Sequence, residues 1–355
     1  CLFTRNGELF IGTYVDDNYV IGEKGKIDEL ITEIETKGLK VTVQKGLNDY
    51  LSCNIVFNEN QTKAWIGQPH LLKKLIEKFG NEVKNLRTYA TPGTPSNGLK
   101  RPITEEELLK PEEQTKLRSG IGMLLYLVKH SRPDIANAVR ELSKCMDKGN
   151  YATMKELKRV IKFVIDTQNY GLKVISEMND SKWKLEIFCD ADWAGDTETR
   201  ISISGFIMFL NKVPIMWRSR AQRNITLSSG ESEYVSLSDA IKEVKFVSMI
   251  CDNLGIHLEK PITIRVDNVS AIFMAETANA TSRTRHIDVK YHHVREFIES
   301  NFVKIVFVTS EENLADMFTK NVKSMVYEKH IDKLIIEKDA IINRKCPDQG
   351  RVLED

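Results

Sequence analysis

Four carboxylates in the second half of the chain fall where predicted elements begin or end. Asp190 ends the predicted strand in "KLEIFCDADWAG". Alternation sends Leu185, Ile187 and Cys189 to one face of that strand and Phe188 and Asp190 to the other. Asp192 shares the parity of Asp190 and is the second candidate there. Asp267 ends the strand-like "ITIRVD" just before a predicted helix, and Asp316 lies one turn into a helix predicted at about 311–319. In "TLSSGESEYVSLSDAIKEV" two glutamates compete. Ser228 and Glu231 form an S-x-x-E capping box, which accounts for Glu231 structurally. Glu233 instead heads the stripe Leu237, Ala240, Val244, Val247, so it opens the inward face of a helix. A carboxylate there is costly unless a cation waits for it.

Each member has an ordinary alternative: a turn residue at Asp190, a first-turn acid at Glu233, an N-cap at Asp267 and an exposed helix carboxylate at Asp316. Together, Asp190, Glu233, Asp267 and Asp316 would repel one another at one sheet edge unless cations sat between them. Two Mg²⁺ about 4 Å apart are the usual solution, with Mn²⁺ as the alternative ion. Such a pair activates water toward a phosphodiester and stabilises the leaving 3′ oxygen, so no nucleophilic side chain is required.

A second acidic pair stands in "ELFIGTYVDDNYVIG", where Asp16, Asp17 and Asn18 read as a turn between two strands. Adjacent carboxylates in a hairpin suit metal-dependent nucleotidyl transfer. The 13 residues before Tyr14 hold Glu8 as their one acid, so this polymerase-like site is expected to be incomplete. In "MKELKRVIKFV", Lys155, Lys158, Arg159 and Lys162 fall on one face of a predicted helix and could track nucleic-acid phosphates, or be a solvated polar face. His286, His292 and His293 share a predicted helix at about 286–300 with Arg285 and Lys290; structural or phosphate-contacting roles suit them better than catalysis. Trp193 and Trp217 read as core or sheet-face residues.

Residues 70–170 carry 19 Lys/Arg against 12 Asp/Glu, while the whole chain nets only +1. A basic block ahead of a slightly acidic one suits nucleic-acid contact in the first and metal sites in the second. The six cysteines are scattered without metal-ligand or disulfide spacing, which fits a reducing compartment. No run reaches the ~18 apolar residues of a membrane span. The chain opens on Cys1 almost directly in a strand, as a piece of something longer would. Short strands are expected between 39 and 67, a helix from Pro69 to Gly80, a connector over 88–115, and helices at about 114–129, 133–147 and 152–168. From 183 the order is three strands, helix, strand, two helices, strand, helix, which suits a mixed sheet with helices on its faces.

The stretches "YVDD", "SRPDIANAV", "CDADWAGD", "ISGFIMFL", "LSSGESEY", "VDNVSAI", "SRTRHIDVKYHHVRE" and "ENLADMFTK" succeed one another over about residues 8–330 in the order and approximate spacing of copia-type retrotransposon Pol polyproteins, which this chain resembles. The resemblance implies an α+β chain: a partial reverse transcriptase palm (1–68), a helical thumb or connection region (69–182), a ribonuclease H-like five-stranded mixed sheet with flanking helices (183–322), and a C-terminal helix and tail (323–355). It places the ribonuclease H acids on Asp190, Glu233, Asp267 and Asp316. It implies RNA–DNA hybrid, RNA and DNA as partners, together with the rest of a Pol polyprotein, and an intracellular setting, in a virus-like particle or the nucleus. One departure is Asn321 after "FTK", where the family usually has proline; it is expected to matter little. Two other readings are a non-catalytic nucleic-acid-binding remnant and a different nuclease or transposase on the same type of fold. The second is disfavoured because such sites run Asp, Asp, Glu, whereas here the glutamate comes second. Because the palm site lacks a third carboxylate, this chain alone is expected to show no DNA synthesis; primer extension on a primed template with dNTPs and Mg²⁺ checks it.

Overall fold

The computed structural model describes residues 1–44, 46, 48–95, 98–176, 182–276 and 288–342, with the backbone alone at 288–291. Three short strands open the chain: β1 (Leu2–Arg5), β2 (Leu9–Tyr14) and β3 (Asp17–Gly22), paired as an antiparallel meander. Tyr14 pairs with Asp17, so the hairpin turn is Val15–Asp16 rather than the expected Asp16–Asn18. Val15 takes a positive φ of 54°, which a tight two-residue turn demands. Helix α1 (Lys24–Thr36) follows, and residues 39–43, expected as strand, are irregular.

A five-stranded antiparallel sheet comes next, and it gathers strands from distant parts of the chain. Strands β4 (Asp49–Tyr50), β5 (Cys53–Phe57) and β6 (Lys63–Gly67) form a meander. Helices α2 (Pro69–Val83), α3 (Pro111–His130), α4 (Ala136–Ser143) and α5 (Tyr151–Asp166) intervene before β7 (Tyr170–Ile175) pairs with β6. Between β6 and β7 the chain thus runs through four helices, with a long connector joining α2 and α3. Trp65 organises this sheet. Its indole is buried and donates to the Asn169 carbonyl at 3.0 Å, and a Cβ at Gly67 or Gly171 would collide with it.

The helices pack as their apolar spacing requires. Leu72, Leu75, Phe79 and Val83 of α2 meet Leu117, Ile121 and Leu124 of α3 and Leu157, Val160, Ile161 and Val164 of α5. The connector between α2 and α3 is strapped to this bundle. Thr94 is bonded to Glu156, Leu99 N–H to Glu141 at 2.9 Å, and Arg101 Nε to the Lys144 carbonyl at 2.8 Å.

The third sheet comprises β8 (Leu185–Asp192), β9 (Ile203–Leu210), β10 (Val213–Ala221), β11 (Ile262–Val266) and β12 (Val303–Phe307), ordered β10-β9-β8-β11-β12. The first two pairings are antiparallel and the last two parallel. This is the mixed five-stranded sheet that the resemblance implies. Helices α6 (Ser229–Asn253), α7 (Val269–Glu276) and α8 (Asp288–Glu299) belong to it. Period-two alternation makes the sheet a partition. Leu185, Ile187, Cys189, Phe206 and Met208 join the core under α6, whereas Phe188, Ile207 and Phe209 join the core of the helical bundle.

The helix expected at about 311–319 is instead a turn at Ser310–Glu312 and a four-residue α9 (Asp316–Thr319). Between them, buried Asn313 accepts the Ala315 N–H through its side chain and donates to the Cys189 carbonyl at 3.1 Å, which ends the first turn. Beyond α9, helix α10 (Ser324–Ile331), strand β13 (Ile335–Glu337) and helix α11 (Lys338–Ile342) return the chain to the second sheet, where β13 pairs with β7. That return is locked by a buried ion pair. Arg132, 1% exposed, grips both oxygens of Asp134 at 2.9 Å and Thr167, and Tyr327 of α10 donates to Asp134 at 3.1 Å. Removing one partner leaves the other charge buried and uncompensated. Asp134→Ala is therefore expected to lower unfolding free energy by about 3–5 kcal/mol, read from the urea midpoint.

Candidate metal centre

The parallel register of β8 and β11 begins the site. Ile187 pairs with Ile264 and Phe188 with Arg265, so two residues further along both strands Asp190 stands beside Asp267. Strand β8 runs on to Asp192 rather than ending at Asp190. The N-cap alternative for Asp267 is taken by its neighbour: Asn268 Oδ1 accepts the Ala271 N–H at 3.0 Å, which leaves the Asp267 carboxylate to face Asp190.

Helix α9 brings the third acid, and a glycine lets it in. Gly205 of β9 pairs with Asp190, and a Cβ there would lie 2.8 Å from Phe318 Cβ and Thr319 Cγ2. With that space free, the Thr319 hydroxyl donates to Asp190 Oδ2 and Lys320 Nζ meets Asp316 Oδ2 at 2.9 Å. Asp190, Asp267 and Asp316 each offer one oxygen, all within 4.8 Å of one another.

The fourth acid arrives on α6. Ser228 caps that helix by accepting the Glu231 N–H at 3.2 Å, as the S-x-x-E spacing expects, while the Glu231 side chain returns to the Leu227 N–H at 2.8 Å, one residue before the N-cap. Glu233 then begins the buried stripe Leu237, Ala240, Val244 and Val247. Its carboxyl lies against Asp190 and near the Ala191 N–H, and Ser236 Oγ donates to the Asp190 carbonyl at 2.8 Å. The structure thus gathers all four acids, three within mutual ligand distance and Glu233 against Asp190. Asp192 is half-buried and lies outside the group of three.

The electrostatics follow from burial. Desolvation, then the charges of Asp190 and Asp267, pushes Glu233 up to about 10. Desolvation, then Asp190, pushes Asp316 up to about 7, although Lys320 pulls the other way. Asp267 is raised for the same two reasons. Two buried oxygens, Glu233 Oε2 and Asp316 Oδ1, have no hydrogen-bond partner. An all-carboxylate set with unpaired buried oxygens fits hard divalent cations such as Mg²⁺. Cys189 is no nucleophile here: it faces the apolar core under α6, and burial pushes its thiol well up.

The other sequence candidates lie elsewhere. Asp16 and Asp17 are exposed at the hairpin tip. Of the basic face on α5, Lys155 is exposed, Lys158 pairs with Glu82 at 2.9 Å and Lys162 with Asp166 at 2.6 Å. Arg159 is spent on the carbonyls of Thr91, Pro92 and Gly93 and stacks on Tyr89 with 4.3 Å to the ring centroid. His292 is exposed, His293 is 3.4 Å from Ser238, and His286 lies outside the described residues. Trp217 is packed and donates to the Val128 carbonyl, but Trp193 is 46% exposed, more open than a core reading predicts. Thr319, Lys320, Asn313 and Gly205 also shape the site, and the spacing that singles out the acids does not reach them. Only Gly205 carries a local signal, because a lone glycine inside a strand marks close approach of another backbone.

Raised carboxylates bind more protons in the folded than in the unfolded chain. Cation-free stability therefore falls as pH rises from near 4 through the folded value, about 7 for Asp316. A divalent cation would have to displace those protons, so its affinity would rise with pH. Asp316→Asn is expected to raise the cation-free melting temperature by a few degrees at pH 8 and to weaken the Mg²⁺-dependent rise; thermal melts with and without Mg²⁺ at pH 6 and 8 check both.

No family model matches the chain. It is 28% identical over 329 residues to the retrovirus-related Pol polyprotein from transposon TNT 1-94 of Nicotiana tabacum, covering 92% of this chain and 24% of that protein. It is 32% identical over 326 residues to the Pol polyprotein from transposon RE1 of Arabidopsis thaliana, covering 92% of this chain and 21% of the relative. Among solved structures, it is similar to RNase H1 from Halobacterium salinarum NRC-1, with 14% identity, a TM-score of 0.30, and coverage of 42% of this chain and 98% of that one. LC11-RNase H1 in complex with an RNA/DNA hybrid gives 15%, 0.30 and the same coverage. By sequence the chain spans less than a quarter of the length of these Pol relatives, and it belongs to the retrovirus-related Pol polyproteins of copia-type transposons.

Proposed function

We propose that this chain cleaves the RNA strand of RNA–DNA hybrids, using two Mg²⁺ held by Asp190, Glu233, Asp267 and Asp316. The observation that carries this reading is the convergence of three carboxylate oxygens within 4.8 Å, flanked by two buried oxygens without partners. Membership in the Pol family supports the substrate class. Bound cations would polarise water and phosphate as Lewis acids.

The protein's own part is to hold the acids in place. The Thr319 hydroxyl fixes one oxygen of Asp190, and Ser236 fixes the backbone beneath it. Lys320 offsets charge on Asp316. Hybrid choice would rest on backbone shape and the 2′-OH rather than on base edges. Exposed Lys155 is the member of the α5 face most available to phosphate. Polymerase chemistry falls outside this proposal, because Asp16 and Asp17 need further palm carboxylates.

The test is a labelled RNA–DNA hybrid incubated with purified protein and Mg²⁺. Endonucleolytic RNA cleavage is expected, abolished by EDTA and reduced at least about 100-fold by Asp190→Asn. An intact hybrid, or cleavage unaltered in the variant, rejects the reading. Hybrid binding in EDTA with no cleavage under Mg²⁺ or Mn²⁺ would indicate a binding module instead.

A further inference from the structure

Asn321 follows Lys320 just beyond α9, and its side chain is tied in two directions. Asn137 of α4 donates through Nδ2 to Asn321 Oδ1 at 2.9 Å, and Asn321 Nδ2 donates to the Thr94 carbonyl at 3.2 Å. The polarity of this chain is imposed from outside. Arg140 has donors only, and its Nε and Nη2 lie 3.1 and 2.9 Å from Asn137 Oδ1. The Asn137 amide must therefore turn its NH₂ toward Asn321. Asn321 must accept, which leaves its own NH₂ for Thr94.

Each partner is itself held. Asn137 is 3% exposed, and Arg140 is anchored on Glu141 at 2.5 Å. Glu156 takes the N–H and hydroxyl of Thr94 at 2.7 and 2.8 Å. Gly93 leaves the space: a Cβ there would lie 2.5 Å from the Asn321 amide. The position is thus far from idle, contrary to what its place beyond the acid set suggests. One residue back Lys320 meets Asp316, and two residues back Thr319 bonds Asp190.

We propose that Asn321 is a positioning residue for the carboxylate cluster. It ties the end of α9 to α4 and to the connector, and so sets where Asp316 stands relative to Asp190 and Asp267. This rests on the reading that the cluster holds divalent cations. The helical bundle thereby takes part in shaping a site to which it contributes no carboxylate.

The test uses the full chain with Asn321→Ala, Asn137→Ala and the double variant. Asn150→Ala serves as control; it removes the N-cap that Asn150 gives α5 through Thr153 N–H, and so costs stability without touching this chain of amides. The readouts are the Mn²⁺ midpoint for thermal stabilisation and the kcat and KM for hybrid cleavage. Each single variant is expected to raise the Mn²⁺ midpoint about tenfold. It should lower kcat at least about fivefold while KM stays within about twofold. The double variant should match the singles, because the two amides act as one unit. The control should keep wild-type midpoint and kcat despite a lower melting temperature. A wild-type midpoint with Asn321→Ala and Asn137→Ala behaving like the control overturns the positioning role alone. A wild-type protein with no Mn²⁺ midpoint overturns the cation reading and the positioning role with it.

Discussion

Carboxylates crowded at the end of a sheet repel one another, and the fold has to impose that crowding. Nothing local favours it. Asp190, Asp267 and Asp316 are within mutual reach because two parallel strands are in register and a short helix lies across a glycine. Glu233 is pressed against Asp190 because the apolar stripe behind it must be buried. Hydrophobic burial is collectively strong enough to drive such an arrangement, and burial with mutual repulsion raises Glu233, Asp267 and Asp316 above the usual carboxylate range.

The sheet that carries the acids is enclosed on both faces. The core under α6 is its own, but the opposite face is covered by the helical bundle, through Phe188, Ile207 and Phe209. The acid-bearing sheet and the bundle therefore share a core. Polar ties reinforce it: Lys144 lies 3.6 Å from Asp196, and Arg101 N–H donates to Glu198 at 3.0 Å. Both acids sit in the loop that follows β8, so the bundle grips the segment immediately beyond Asp190.

Much of the site was legible in the sequence, because its signals were periodic. Alternation placed Asp190 opposite Leu185, Ile187 and Cys189, helical spacing separated Glu233 from Glu231, and the helix expected just after Asp267 is α7. Less was legible where the deciding contact joins residues far apart in the chain. Arg159 completes a basic stripe by spacing, yet its guanidinium is consumed by carbonyls of Thr91 to Gly93. The spacing around Asp316 predicts a longer helix than forms, because Asn313 redirects the backbone through a bond to Cys189. The polar run Asp16–Asn18 predicts the hairpin turn one residue late, because a two-residue turn needs only Val15 and Asp16.

The pairing of β7 with β13 has a topological consequence. The whole of 176–334, acid-bearing sheet included, leaves the second sheet from one strand and re-enters it on the adjacent one. The segment is thus an insertion within another fold, with entrance and exit side by side, rather than a domain appended to the end of one. Chain closure costs grow only slowly with loop length, by roughly 0.6 kcal/mol per doubling, so a host sheet can accept so large a passenger at little entropic expense. Severing the C-terminal strand would then remove an edge of the host, not a tail of the guest.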